Sequence, residues 1–257
     1  MKSFSLIRQL SWREIETRYR GSTLGAVWTI LTPLFMLAVF TFVFAVVLKA
    51  RWNQGEANTT QFALVIFAGL TVFNLFGEVI ARAPMIVTGQ PNLVKKVVFP
   101  LEILPVVALV SAAFQAAIAS VILLAFQVAF GSGFHATVLL VPALIMPLCL
   151  MTLGCAWFLA ALGVYVRDIG QLIPLIVTAL MFLSPIFYPS ESLPPWFRPL
   201  AAYNPLGFSI EAIRDAVVFG AFPDVTMWFV NFAGGLLVAA LGYAFFQKTR
   251  KGFADVL

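Results

Sequence analysis

Residues 24–48 read LGAVWTILTPLFMLAVFTFVFAVVL, a run without a single charge, closed by Arg20 on one side and Lys49 on the other. Crossing a hydrocarbon core about 30 Å thick takes about 20 apolar residues in a helix. A surface helix of a soluble protein keeps one polar face, and this run has none. It therefore predicts a membrane-spanning helix.

Five further stretches meet the same standard: 62–84, 103–130, 137–163, 169–188 and 225–247. Within the second, Phe62 to Gly77 is free of charge and the apolar character resumes past Glu78 and Arg82. The third and fourth are flanked by further apolar residues that predict interfacial ends. Gly131-Ser132-Gly133 between them predicts a tight helical hairpin. Composition agrees, because 61% of the 257 residues are hydrophobic and 11% charged, against roughly 25% charged in a soluble domain. So few charges could not cover a soluble core. The expected fold is an all-α integral membrane protein with six transmembrane helices.

The net charge of +5 does not indicate nucleic acid, because the basic residues are scattered between apolar blocks and form no cationic stripe. Cys149 and Cys155 lie about 240° apart on a helix, so they are not expected to form a disulfide with each other. A single histidine, His135, excludes a multi-histidine metal site. Met1-Lys2-Ser3 leads into a charged segment, so no removable signal peptide is expected.

Orientation follows from the positive-inside rule. Lys2, Arg8, Arg13, Arg18 and Arg20 precede the first span, Arg82, Lys95 and Lys96 lie between the second and third, Arg167 follows the fourth, and Lys248, Arg250 and Lys251 follow the last. The alternate connections hold Lys49, Arg51, Arg198 and Arg214. Both termini are therefore expected in the cytoplasm.

Two segments are neither ordinary loop nor ordinary span. In residues 1–23, Trp12, Ile15 and Tyr19 share a helical face, and Glu14 with Arg18 and Glu16 with Arg20 are favourably spaced pairs. The pattern predicts a short amphipathic helix on the inner membrane surface, with a break near Gln9–Ser11. Gly21 and Gly25 bracket the turn into the first span. Residues 189–224 are broken by Pro189, Pro194, Pro195, Pro199 and Pro205, yet carry Trp196-Phe197 and a helical stretch from Leu206 to Phe219. This predicts outer re-entrant helices, which at membrane depth need protein or a water-filled cavity beside them. An ordinary interfacial loop is the alternative.

No nucleotide-binding G-x-x-x-x-G-K-[ST] loop, H-E-x-x-H or G-x-S-x-G motif occurs, so the chain is not expected to be an enzyme. No span carries the mid-membrane ionisable residues that an ion-driven secondary transporter would want, and no inverted repeat is visible. Glu78 and Arg82, one turn apart, read either as a helix-end pair facing the bundle or as part of an inner gate or anion-binding entrance. Glu102 reads as an end-of-helix charge. Phe35, Phe40, Phe42 and Phe44 face lipid or line a conduit. The loop from Met85 to Pro100 reads as a positive-inside anchor or as a coupling helix against a soluble partner.

The run Arg13 to Trp28, REIETRYRGSTLGAVW, ending in Leu31-Thr32-Pro33-Leu34, resembles the start of ABC-2-type permeases that export lipid-linked polysaccharide such as O-antigen and teichoic acid. Pro91 to Lys96 with Phe99-Pro100, Tyr165 to Ile169, and Tyr203 to Leu206 with Glu211 and Arg214 resemble the same family. The likeness covers essentially the whole chain in order.

This resemblance implies a homodimeric permease in a bacterial inner membrane that moves a polyprenyl-pyrophosphate-linked, O-antigen-like glycan outward. Capsule, teichoic acid, drug or lipid are alternative cargoes. Two copies of a soluble ATP-binding-cassette ATPase would supply the work, with ATP and Mg on that subunit and no cofactor in this chain. It places Glu14, Arg18, Arg20, Asn92, Lys95 and Lys96 at the ATPase interface, and Trp196, Asn204, Pro205 and Arg214 in an outer gate.

Overall fold

A computed structural model describes residues 2–19, 23–43, 59–95, 99–131, 133–189, 194–196, 198 and 205–256. Among the described residues every regular element is helical. The chain runs through α1 (Lys2–Tyr19), α2 (Trp28–Phe40), α3 (Thr59–Arg82), α4 (Pro91–Lys95) and α5 (Ile103–Phe130), then α6 (Met146–Tyr165), α7 (Ile169–Leu183), α8 (Pro205–Arg214), α9 (Val225–Thr249) and α10 (Phe253–Val256). Four stretches are long and apolar enough to cross a membrane: Gln61–Met85, Ile103–Phe130, Ala136–Tyr165 and Val225–Val256. Trp28–Val43 and Ile169–Leu183 are shorter apolar helices.

Helix α3 is the axis of the molecule. Its residues from Phe62 to Phe73 are all buried, because α2, α5, α6, α7 and α8 surround it. The other long apolar helices keep much of their surface outside. Leu175 on α7 and Phe35 on α2 are each 68% exposed, as a face turned to lipid or to another subunit requires.

Helices α6 and α9 form the closest pair, and glycine is why. A Cβ on Gly242 would lie 2.0 Å from the carbonyl oxygen of Gly154, and one on Gly235 would lie 2.5 Å from that of Pro147. The two backbones therefore touch directly along a shared direction, as small residues allow between membrane helices. Just beyond the C-terminal end of α9, Arg250 pairs at 2.7 Å with Glu102, at the start of α5. The Tyr165 hydroxyl donates to the Thr249 carbonyl at 2.8 Å. Phe253 folds back to be fully buried with Phe246 and Val87, and α10 rests on α4.

Several expectations are corrected. Helix α1 is continuous through Gln9–Ser11, because Ser11 is small enough to be buried at 3% exposure where α1 leans on α5. Trp12 stands outside at 60% exposure, its indole donating to Glu16. The expected span 137–163 lies inside the apolar stretch Ala136–Tyr165, whose first part is irregular. A 3-10 turn at Ala136–Leu140 and a single turn at Val141–Leu144 precede α6. Pro142 and Pro147 each sit in a first turn, where the missing donor does no harm. Helix α7 ends at Leu183, with Ser184 extended ahead of Pro185, as the residue before a proline prefers. Glu102 is one half of an ion pair and not a lone helix-end charge.

Candidate functional site

The charges at the C-terminal ends of α1 and α3 form one lattice. Arg18 grips both carboxylate oxygens of Glu78, Nη1 to Oε2 at 3.3 Å and Nη2 to Oε1 more closely. Arg82 reaches Glu14 at 2.6 Å and Glu78 at 3.4 Å. Glu14 and Arg18 are one turn apart on α1, Glu78 and Arg82 one turn apart on α3, and the cross-helix pairs run in opposite order along the two helices. Each of the four side chains is a quarter to under a half exposed. Each pair is therefore worth only about 1 kcal/mol or less. The two guanidinium groups and two carboxylates cancel, leaving no net charge.

Thus the sequence placed Glu14 and Arg18 in one role and Glu78 and Arg82 in another, while the structure joins all four. The i,i+4 spacing of Glu14 and Arg18 suggested a pair within α1, but each carries a cross-helix bond to α3. Residue spacing reports the face of a helix and not the partner that arrives there.

Above the lattice opens a cavity of about 620 Å³ between α2, α3, α5 and α7. Arg18 and Glu78 are its charged lining, joined by the neutral polar groups of Thr32, Asn74 and Gln115 and by apolar side chains such as Phe40. Asn74 is exposed on an otherwise buried stretch of α3 and lines this cavity. A second cavity of about 340 Å³ lies between α3, α5, α8 and the turns before α6. It is apolar, with Cys149 on its wall, and shares Thr71, Leu75 and Ala116 with the first. The hydroxyls of Thr71 and Ser120 on its wall are satisfied by their own helices, donating to the carbonyls of Phe67 and Ala116 at 2.8 Å.

Helix α8 lies buried against α3. Pro205 opens it and Arg214 ends it, followed by a wider turn at Asp215–Phe219 that closes at Gly220 in the left-handed region, φ 67°. Arg214 is only 2% exposed. It donates to the Pro185 carbonyl where α7 ends and packs beside Gly69 of α3. The α5–α6 connection braces the wider turn: Thr137 donates to the Ala216 carbonyl at 2.5 Å and Gln127 to that of Val218 at 3.3 Å. Trp196, by contrast, is 78% exposed. Two of the four residues expected at an outer gate, Trp196 and Arg214, thus have opposite surroundings.

Asn92 is exposed on α4, and the backbone of Lys95 ends that helix. Arg20, Lys96 and Asn204 lie outside the described residues, as does Phe44. Sequence reasoning missed Glu102 with Arg250, and Thr137 and Gln127 as supports of the α8 turn. Nothing local in the sequence marks those pairs, because each joins residues more than 70 positions apart.

Compared with known proteins, residues 5–218 match the family model described as ABC-2 type transporter. The chain belongs to this family. Its relatives include an "O-antigen export system permease protein RfbA" of Klebsiella pneumoniae, 21% identical over 257 residues, 99% of this chain and 95% of that protein. A protein of the same description from Myxococcus xanthus is 25% identical over 252 residues, 97% of this chain and 94% of its own. The "Polysialic acid transport protein KpsM" of Escherichia coli is 24% identical over 216 residues, 83% of this chain and 81% of its own. The ABC-2 match takes in α1, the charge lattice, both cavities and α8.

Proposed function

We propose that this ABC-2 chain is the permease subunit of an exporter that moves polyprenyl-pyrophosphate-linked polysaccharide outward across a bacterial inner membrane. It acts as a homodimer carrying two copies of a separately encoded ATPase. The observation that carries the reading is the end-to-end likeness to the O-antigen export permeases, which extends further along the chain than the likeness to the polysialic acid transporter. Six crossings follow if α2 and α7 count as spans. Their 13 and 15 residues give rises of about 20 and 22 Å, and adjoining residues complete the distance. The larger cavity beside them is mostly apolar but carries Arg18, Glu78, Asn74 and Gln115 on its wall; with lipid or a second subunit on the exposed faces of α2 and α7, it supports a route for an amphiphilic, lipid-linked glycan. The α8 segment with Trp196, Asn204 and Pro205 serves as the outer gate, in which Arg214 anchors and does not line.

Work enters from the ATPase at α1 and α4, through Asn92, Lys95 and Lys96 in the coupling loop. Because Glu14 and Arg18 are held by α3, the other exposed charges that α1 offers a partner are Arg8, Arg13 and Glu16. Arg13→Glu should therefore weaken ATPase association by about 1–3 kcal/mol if the pair formed is partly desolvated. A pull-down across a salt series measures it. The same pull-down tests the whole reading: if no soluble ATPase co-purifies with the wild type in any mild detergent, the exporter assignment fails.

Topology is tested separately. In a Cys-free background, single cysteines at Arg198 and Lys95 should react with an impermeant reagent from opposite sides of the membrane. Reaction of both in intact cells would contradict the six-span arrangement with cytoplasmic termini.

A further inference from the structure

We propose that Arg18 is the anion-binding group of a ligand-sensing latch, taking a phosphate or pyrophosphate headgroup from a membrane amphiphile in exchange for Glu78. The inference deepens the exporter reading, and rests on it for the source of the anion.

Among the described residues, Arg18 and Glu78 are the charged groups on the wall of the larger, mostly apolar cavity. An anion entering it meets the Arg18 guanidinium, which the Glu78 carboxylate engages bidentately. Arginine's planar fork suits phosphate oxygens as well as carboxylate oxygens, so the two ligands compete for the same nitrogens. Releasing Glu78 strands nothing, because Arg82 stands one turn away on the same helix and already contacts its Oε1 at 3.4 Å. The displaced pair is also part-exposed, about 27% and 26% for the two side chains, so water can take up the freed carboxylate. Such a pair is weakly held, whereas an anion with two or more charges gains more from the guanidinium than a single carboxylate does.

The exchange has a mechanical consequence. Arg18 belongs to α1 and Glu78 to α3, so binding removes one of the two cross-helix pairs and leaves Glu14 with Arg82. By linkage, a ligand that loosens α1 from α3 binds more tightly whenever something else has already loosened it. Occupancy of the cavity is thereby reported to the helix that faces the cytoplasm.

The test uses the purified full-length permease in nanodiscs with three probes: farnesyl pyrophosphate, inorganic pyrophosphate and phosphatidylglycerol. Wild type should prefer farnesyl pyrophosphate to both others. Glu78→Gln should bind it about tenfold more tightly and Arg18→Gln at least tenfold more weakly, the factor that about 1.4 kcal/mol produces. A second readout does not depend on affinity. Spin labels at Thr17→Cys on α1 and Met85→Cys beyond α3, with Cys149 and Cys155 replaced, should move apart when farnesyl pyrophosphate binds. They should stand apart already in Glu78→Gln, and Arg18→Gln should show no ligand-dependent change. Equal affinity of Arg18→Gln and wild type, no gain in Glu78→Gln, a preference for either of the other probes, or no binding of any probe overturns the proposal. Any of these with the ATPase still co-purifying and glycan still exported leaves the exporter reading standing; loss of ATPase association strikes that reading instead.

Discussion

Gly242→Leu should yield no folded permease, while Gly234→Leu, eight positions earlier on the same helix, should behave as wild type. The contrast comes from what each side chain would meet. At Gly242 the first added carbon lies 2.0 Å from the Gly154 carbonyl oxygen, whereas at Gly234 it meets nothing within 4 Å. A carbonyl in the middle of a helix cannot swing aside as a flexible side chain can. The α6 and α9 backbones must separate, losing the contacts at Pro147, Gly154 and Val238 together. Overpacking alone typically costs 1–3 kcal/mol, occasionally more, and here a whole helix pair is displaced, so the effect belongs at or beyond the upper end. Gly234→Leu exchanges a poor helix former for a good one, worth up to about 1 kcal/mol in its favour. Size-exclusion profiles and melting curves of detergent-solubilised protein decide it. A monodisperse Gly242→Leu peak melting with the wild type would mean that the two helices do not touch as described.

Arg214→Ala should give the second largest effect, read at α8. The substitution leaves a cavity beside Gly69 and removes a donor from the Pro185 carbonyl. An unsatisfied buried acceptor costs about 1–3 kcal/mol, and truncation of a large buried side chain adds a comparable loss. The expected total is about 3 kcal/mol or more. Its measure is local: Ser209, fully buried on α8, should become reactive as a cysteine in the Arg214→Ala background and remain protected in the parent. Export should fall in the same variant. Continued protection of that cysteine would show that α8 is held without the arginine.

What the sequence disclosed and what it withheld divide along a physical line. Charge-free length is a local property with one cause, so apolar runs such as residues 103–130, a membrane-length helix in the structure, were sufficient to establish a helical membrane protein. Gly133, with φ 93°, and Gly25, with φ 51°, sit in connections that the sequence marked as turns, because a left-handed backbone has few alternatives to glycine. Partner choice has no such local signature. Glu14 is equally compatible with Arg18 and with Arg82, and only the packing of α1 across the ends of α3 and α5 decides between them. Arg214 was placed in the outer gate by resemblance, and nothing in its sequence neighbours announces the Pro185 backbone carbonyl it meets inside.

The central position of α3 also bears on how the protein is made. A chain emerges from the ribosome N-terminus first, at roughly 5–20 residues per second. Helix α3 is thus synthesised well before α5, α6, α7 and α8, four of the five elements that surround it. About 140 residues separate its start from α8, so on the order of ten seconds pass between the two. During that interval Asn74 and Glu78 face whatever the bilayer and the insertion machinery provide, with only α1 and α2 already made. Arg18 and Arg82 are the earliest partners available to Glu78. The lattice that joins α1 to α3 in the finished protein can therefore also shelter a nascent acidic side chain until the rest of the bundle closes around it.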